Sequence, residues 1–158
     1  MEELIDTIVE THLLSDVPVG IFLSAGIDSS LIASSAKVAA ARTYLSAVTI
    51  GFPGSVDDEA VVAGRTAAAL NLEWTSLAMG EDNSRAYFDR ALAALDGPIA
   101  YSAVITQAVV SELAAQRYKV MLSGDGGEEA FGGYKWYDNL DAPLVETRKK
   151  SIRGWLRK

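Results

Sequence analysis

Ser24-Ala25-Gly26-Ile27-Asp28-Ser29-Ser30 gathers three hydroxyls, two very small residues and one carboxylate between an apolar run ending at Leu23 and a helix-forming run from Leu31. Such a loop leaves the carboxyl end of a strand and enters the amino end of a helix. There, unpaired backbone N–H groups and the helix dipole favour an anion such as a phosphate chain. Ala25 and Gly26 let the backbone approach a ligand closely, and Ser24, Ser29 and Ser30 add short hydroxyl donors. Asp28 beside phosphates is repulsive unless a metal ion lies between them, and Mg²⁺ is the natural candidate. The competing reading of the serines is simple helix capping.

A second segment, Leu122-Ser123-Gly124-Asp125-Gly126-Gly127-Glu128-Glu129-Ala130-Phe131-Gly132-Gly133-Tyr134, brings three more carboxylates into a glycine-rich turn. Counting Asp28, four acids near one edge would repel unless cations or basic groups intervene. Asp125, Glu128 and Glu129 could equally be a solvated acidic turn, and Glu129 could pair with an arginine for structure. Gly132-Gly133 permits a sharp turn after Phe131, with Tyr134, Trp136 and Tyr137 packing it down.

Residues Asp16 to Ser30 resemble the signature of the asparagine synthase (glutamine-hydrolysing) family, within the ATP pyrophosphatases whose PP-loop reads S-G-G-x-D-S-S. Ala25 stands where that pattern has its first glycine, which asks whether the backbone there needs a positive φ. The second segment is similar to the family's other hallmark, S-G-x-G-x-D-E followed by F-G-G-Y. Two separated motifs in the right order carry far more weight than either alone.

The resemblance implies a synthetase domain that cleaves ATP between the α and β phosphates. An acyl-adenylate, β-aspartyl-AMP, would form on aspartate or a similar carboxylate, and ammonia from glutamine would convert it to asparagine, releasing AMP and pyrophosphate. Carried over by position, Ser24, Gly26, Asp28, Ser29 and Ser30 would hold pyrophosphate, with Leu23 and Ser123 in the same ATP-binding set. Phe22 and Ile50 match positions that line the adenine pocket, although core packing explains them equally well. Gly124 matches the glycine that lets the base approach. Asp28 and Glu128 would face Mg²⁺, Glu128 standing where the family has aspartate. Asp125 and Glu128 are the candidate catalytic residues, Asp125 near the acyl acceptor.

Family members usually begin with a glutaminase domain and continue into a helical segment bearing a catalytic lysine. The resemblance covers Glu2 to Tyr137, so the stretch is expected to be the nucleotide-binding heart of a synthetase, partial in its active site. Lys135 is not assigned the lysine's role. A glutaminase domain or subunit and a second copy in a homodimer are the implied partners. Three rivals stay open: a β-lactam synthetase-like cyclising ligase, a non-catalytic nucleotide-binding module, and a tRNA-modifying pyrophosphatase.

These loops need strands and helices to hold them, and the pattern supplies a strict alternation of the two. That alternation predicts an α/β fold, a three-layer α/β/α sandwich with a parallel sheet, Rossmann-like and of the adenine nucleotide alpha hydrolase-like type that the resemblance implies. An opening amphipathic helix on Leu4, Ile5, Ile8, Val9 and His12 should end near Ser15, with His12 a half-buried spacer rather than a base. Strands are expected at Val19–Leu23, Tyr44–Phe52, Trp74–Leu77 and Lys119–Ser123. Helices should fill Ser30–Ala41, Asp57–Leu70, Asp82–Leu95 and Ala103–Gln116. Ser55 or Asp57 would cap the second of these, with Asp58 and Glu59 in its first turn. Asp57, Arg65 and Arg85 read as surface groups, and Tyr101 and Ser102 lie in the loop where the family binds its acceptor. Both hallmark loops follow strands, so they should meet outside the carboxyl ends of the sheet.

The composition bounds the function. With 158 residues, 49% hydrophobic and 22% charged, the chain suits one domain with a real core. A formal charge of −7 and no cysteine argue against general nucleic-acid binding, thiolate zinc and a cysteine nucleophile in this stretch, and disfavour the tRNA rival. No apolar stretch could span a bilayer and the first residues are acidic, so a cytoplasmic protein is expected, without membrane partners. Residues 138–158 are expected to be a basic tail that opens on a break at Asp138–Pro143, its cations falling between Thr147 and Lys158. Its Ile152, Trp155 and Leu156 could face a membrane surface or RNA, or simply form a frayed terminal helix.

Overall fold

The computed structural model describes residues 1–40, 45–56, 58–98, 103–134 and 137, with the side chains of 81–83 excepted. The chain divides into two compact units, Met1–Gly124 and Asp125–Lys158. In the first, the elements run α1 (Glu2–His12), β1 (Val19–Phe22), α2 (Ile27–Ala39), β2 (Ser46–Gly51), α3 (Ala60–Ala69), β3 (Glu73–Ala78), α4 (Glu81–Ala93), α5 (Ala103–Ala115) and β4 (Val120–Leu122). The alternation expected from the sequence is present. So is the sheet.

The four strands lie in the order β3-β2-β1-β4, every neighbouring pair parallel. Gly20 pairs with Ser46 on one side and Met121 on the other, so β1 is central. β2 is buried along its whole length, as its β-branched and small residues allow in a sheet covered on both faces. The chain winds outward from β1 to β3 and then returns to the far side of β1 as β4. The reversal falls between β1 and β4, and in open parallel sheets a crevice for ligands forms at that point, beyond the carboxyl ends.

Two apolar layers hold the sandwich. One contains Val9, Ile21, Leu23, Ala33, Ala36, Ala47, Ala63, Ala67 and Leu122, where small alanines let α2 and α3 lie close on the sheet. The other contains Val48, Ile50, Val109 and Val110, with Phe22, Tyr87, Tyr118 and Met121 packed against it, under α4 and α5. Ile21 is completely buried, and truncating a side chain in such a place costs about 2–5 kcal/mol. α4 and α5 are also tied at the surface, where Arg90 Nε lies 3.1 Å from Glu112 Oε2 and its guanidinium carbon 4.6 Å from the Tyr87 ring centre.

Several boundaries differ from expectation, for physical reasons. α1 ends at His12, and it buries a narrower stripe than the sequence indicates. Val9 is buried and Ile5 and Leu13 pack against the core, whereas Leu4 and Ile8 are exposed. His12 is exposed too, its Nδ1 2.8 Å from the Ile8 carbonyl oxygen. It is a helix-end residue, not a half-buried spacer. α2 begins three residues early, at Ile27, because Gly26 takes the extended conformation of an N-cap (φ −72°, ψ 154°). α3 begins late, at Ala60, because Asp58 is used ahead of it. Asp58 Oδ1 accepts from the N–H groups of Phe52 at 3.0 Å and Ala60 at 3.1 Å, pinning the turn between β2 and α3. Arg65 and Arg85 are exposed, as expected of surface groups, and Arg85 pairs with Asp89 at 3.3 Å.

The second unit contains the short helix α6 (Gly127–Phe131). Gly126 before it and Gly132 after it have φ of +91° and +71°, so both ends of this turn depend on glycine. The expectations at Asp57, Tyr101, Ser102, Lys135, Trp136 and the basic tail fall outside the described residues.

Candidate functional site: the loop after the first strand

The loop after β1 is built from its own hydroxyls. Ser24 N–H donates to Ser29 Oγ at 3.1 Å, and the Ser24 and Ser29 hydroxyl oxygens lie 2.9 Å apart. Gly26 N–H donates to Ser24 Oγ at 3.1 Å. The hydroxyls of Ser29 and Ser30 both donate to Gly26 O, at 3.1 and 2.8 Å. Gly26 has no side-chain cap, so these serines are not N-caps of α2. They lock the turn instead.

Sequence alone treats the three serines alike, and the structure separates them. Ser29 is buried, with its hydroxyl committed inside the turn, while Ser24 and Ser30 are half-buried. Asp28 is half-buried in the first turn of α2, where a carboxylate also complements the dipole. The backbone N–H groups of Ile27, Asp28 and Ser29 occupy the first helical positions, which have no acceptor within the helix. Ala25 does not have a positive φ; among described non-glycine residues only Asn71 does. Alanine is therefore sterically acceptable there.

The residues leading into this loop are anchored from the neighbouring strands. Leu23 N–H donates to Val48 O at 3.0 Å. Buried Thr49 donates from Oγ1 to Leu23 O at 2.8 Å and accepts from Trp74 Nε1 at 2.9 Å. A relay from β3 through β2 thus fixes the carbonyl just before Ser24. Nothing in the sequence singled out Thr49, although a buried strand hydroxyl that must find a partner, as Ser46 and Thr49 both must, was a usable signal. Phe22 and Ile50 sit in the apolar layer under α4 and α5, the core packing held open for them beside the adenine-pocket reading.

Within the first unit, the start of the segment after β4 meets the first turn of α2. β4 pairs with β1 up to Leu122 against Ile21. Beyond it, Gly124 lies so close to the start of α2 that a Cβ there would fall 2.7 Å from Ser29 N and 2.8 Å from Asp28 C. Ser123 and Gly124 therefore join Ser24, Gly26, Asp28, Ser29 and Ser30 at the carboxyl edge. The absent side chain at Gly124 is what allows the contact.

Asp125, Glu128 and Glu129 belong to the second unit. All three are exposed. The backbone and stem of Glu128 pack against Gly133, whose N–H donates to Glu128 O at 3.0 Å. The partner of Glu129 is not an arginine but Tyr134, whose hydroxyl donates to Glu129 Oε1 at 2.6 Å. That hydrogen bond, with backbone help, holds the Glu129 carboxyl below its ordinary 4.5. A depressed carboxylate stabilises the fold above its unfolded value and loses that contribution as pH falls through the folded one. Tyr134 and Tyr137 meet edge to face with ring centres 5.6 Å apart.

A parallel sheet between helical layers, with a serine-rich loop at the β1–α2 turn against the loop after β4, defines the adenine nucleotide alpha hydrolase-like fold. Solved structures agree. An NH3-dependent NAD synthetase from Campylobacter jejuni superimposes with a TM-score of 0.58 at 21% identity, covering 84% of this chain and 58% of that one. The asparagine synthase family model matches residues 1–157. The chain belongs to the asparagine synthase family. It is 40% identical over 129 residues to asparagine synthetase [glutamine-hydrolyzing] 1 of Bacillus subtilis, covering 82% of this chain and 20% of that protein. It is 28% identical over 171 residues to asparagine synthetase B [glutamine-hydrolyzing] of Escherichia coli, covering 99% of this chain and 30% of that protein. The chain thus spans between a fifth and a third of the length of these relatives.

Proposed function

We propose that this chain is the nucleotide-binding part of an ATP-dependent ligase, which holds the triphosphate of ATP on the loop from Ser24 to Ser30 and directs cleavage between the α and β phosphates. The observation that carries the reading is the meeting of two loops at the β1–β4 switch point, with Gly124 pressed on the Asp28–Ser29 peptide. First-turn N–H groups of α2 would bind phosphate oxygens, and the helix dipole would favour their charge. The Leu23–Thr49–Trp74 relay holds the loop to the sheet while it does so. Its rigidity is what orients the ligand.

Among the described residues no group of three His, Asp or Glu could form a metal cage. Mg²⁺ fits the residues present nonetheless, because it is usually held by one or two carboxylates together with substrate phosphates. Asp28 is the candidate carboxylate of the first unit, and Glu128 is proposed only on its place in the second motif. When bound, the ion would neutralise charge building on the leaving pyrophosphate. The carboxylate acceptor would be aspartate or a close analogue, adenylated and then displaced by ammonia to give asparagine, as the glutamine-hydrolysing names of the relatives support. Asp125 would orient the attacking amine. A glutaminase partner and a homodimer belong to the same proposal.

Calorimetry of ATP with Mg²⁺ tests the site. Asp28→Asn is expected to weaken binding roughly tenfold, the scale of one charge-assisted contact. Equal affinity in both proteins removes Asp28 from the site. AMP and pyrophosphate formed with aspartate support the ligase, while ATP binding without AMP formation supports a nucleotide-binding module.

A further inference from the structure

The loop after β1 contains one hydrogen bond that phosphate binding does not explain. The N–H groups of Ser24 and Gly26 are taken by neutral hydroxyls of the loop itself, Ser29 Oγ and Ser24 Oγ. The N–H of Ala25 donates instead to a carboxylate from another element, Glu59 Oε2 at 3.1 Å, thirty-four positions along the chain. Glu59 occupies the N-cap position of α3 without making a side-chain cap. The turn between β2 and α3 is held by its neighbour, since Asp58 accepts from both Phe52 and Ala60. Glu59 is exposed and has room to swing. Its carboxylate is therefore spare for the turn and spent on the loop.

A carboxylate oxygen on a backbone N–H has the geometry that a phosphate oxygen would take there. One N–H makes one strong hydrogen bond, and two anions at a single donor repel. We propose that Glu59 is a resident anion of the phosphate loop: it occupies the Ala25 N–H when the loop is empty and must leave when a pyrophosphate chain enters, which makes it a determinant of phosphate affinity. The inference rests on the phosphate-binding reading above. Its consequence is opposite in sign to that of a ligand-holding residue. Removing Glu59 tightens binding.

The test is titration of the full chain, Glu59→Gln and Glu59→Ala with inorganic pyrophosphate, by calorimetry, in EDTA and again with Mg²⁺, with thermal melts to verify folding. Glu59→Gln keeps the side chain and loses the charge, whereas Glu59→Ala removes the competitor. Both are expected to bind metal-free pyrophosphate roughly tenfold more tightly than wild type, the value of one hydrogen bond to a charged group. Unchanged or weaker binding by folded variants overturns the inference and leaves the loop as a phosphate site. Weakening confined to the Mg²⁺ titration also overturns it, because Glu59 would then be holding the metal. No binding by wild type or either variant, in either buffer, removes the phosphate-binding reading itself and this inference with it.

Discussion

Replacing Thr49 by valine keeps the shape of a buried β2 side chain and deletes the hydroxyl that joins Trp74 Nε1 to Leu23 O. Buried polar groups that lose their partner cost about 1–3 kcal/mol each. Thr49→Val is therefore expected to lower stability by that order in a denaturant titration and to weaken nucleotide binding, because the carbonyl ahead of Ser24 loses its anchor. Stability within about 0.5 kcal/mol of wild type, the scatter of a neutral surface change, would show that the relay is incidental. The residue types of the loop were legible in the sequence, since hydroxyls, small residues and one acid between a strand and a helix have few other uses. The division of labour among them was not. Ser29 is buried and Ser24 half-buried because the turn folds inward on the former, a matter of backbone path rather than composition. Glu59 was equally hidden, for its bond to Ala25 spans 34 positions.

At the scale of elements, the β1–α2 turn and the segment after β4 make one structure. Gly124→Ala would put a methyl group 2.7 Å from Ser29 N, against backbone that has no rotamer to yield. Overpacking of that kind costs about 1–3 kcal/mol. The melting temperature is expected to fall, and phosphate binding to fall with it, since the first turn of α2 must move. A variant that melts and binds like wild type would mean that the two loops are not mechanically joined. The alternation of strands and helices could be read from apolar periodicity, which survives errors of a few residues at each end. Helix starts could not. Asp28 and Ser29 are poor in helix interiors and good in first turns, so the sequence left them in a loop while Gly26 starts the helix before them. Asp58 reads as a first-turn acid, yet its carboxylate is used one step earlier, on the Phe52 and Ala60 amides.

For the whole molecule, the strand order β3-β2-β1-β4 is what brings the residues of the proposed site together. The two motifs lie almost a hundred residues apart in the chain, and only the return of the chain to the open side of β1 lets Gly124 reach Asp28. Because crossovers between parallel strands are right-handed, a sheet covered by helices on both faces needs such a reversal, so the class of fold was legible where the side-chain contacts were not. The same arrangement makes a definite demand on where phosphate binds. With amide resonances assigned for the full chain, titration with ATP and Mg²⁺, followed by backbone chemical shifts, is the most direct measurement. The account expects the largest shifts at Ala25, Ile27, Asp28, Ser29 and Gly124, with the ends of the strands distant from that edge unmoved. Saturable binding whose shifts cluster elsewhere, leaving the amides from Ser24 to Ser30 in place, would contradict it.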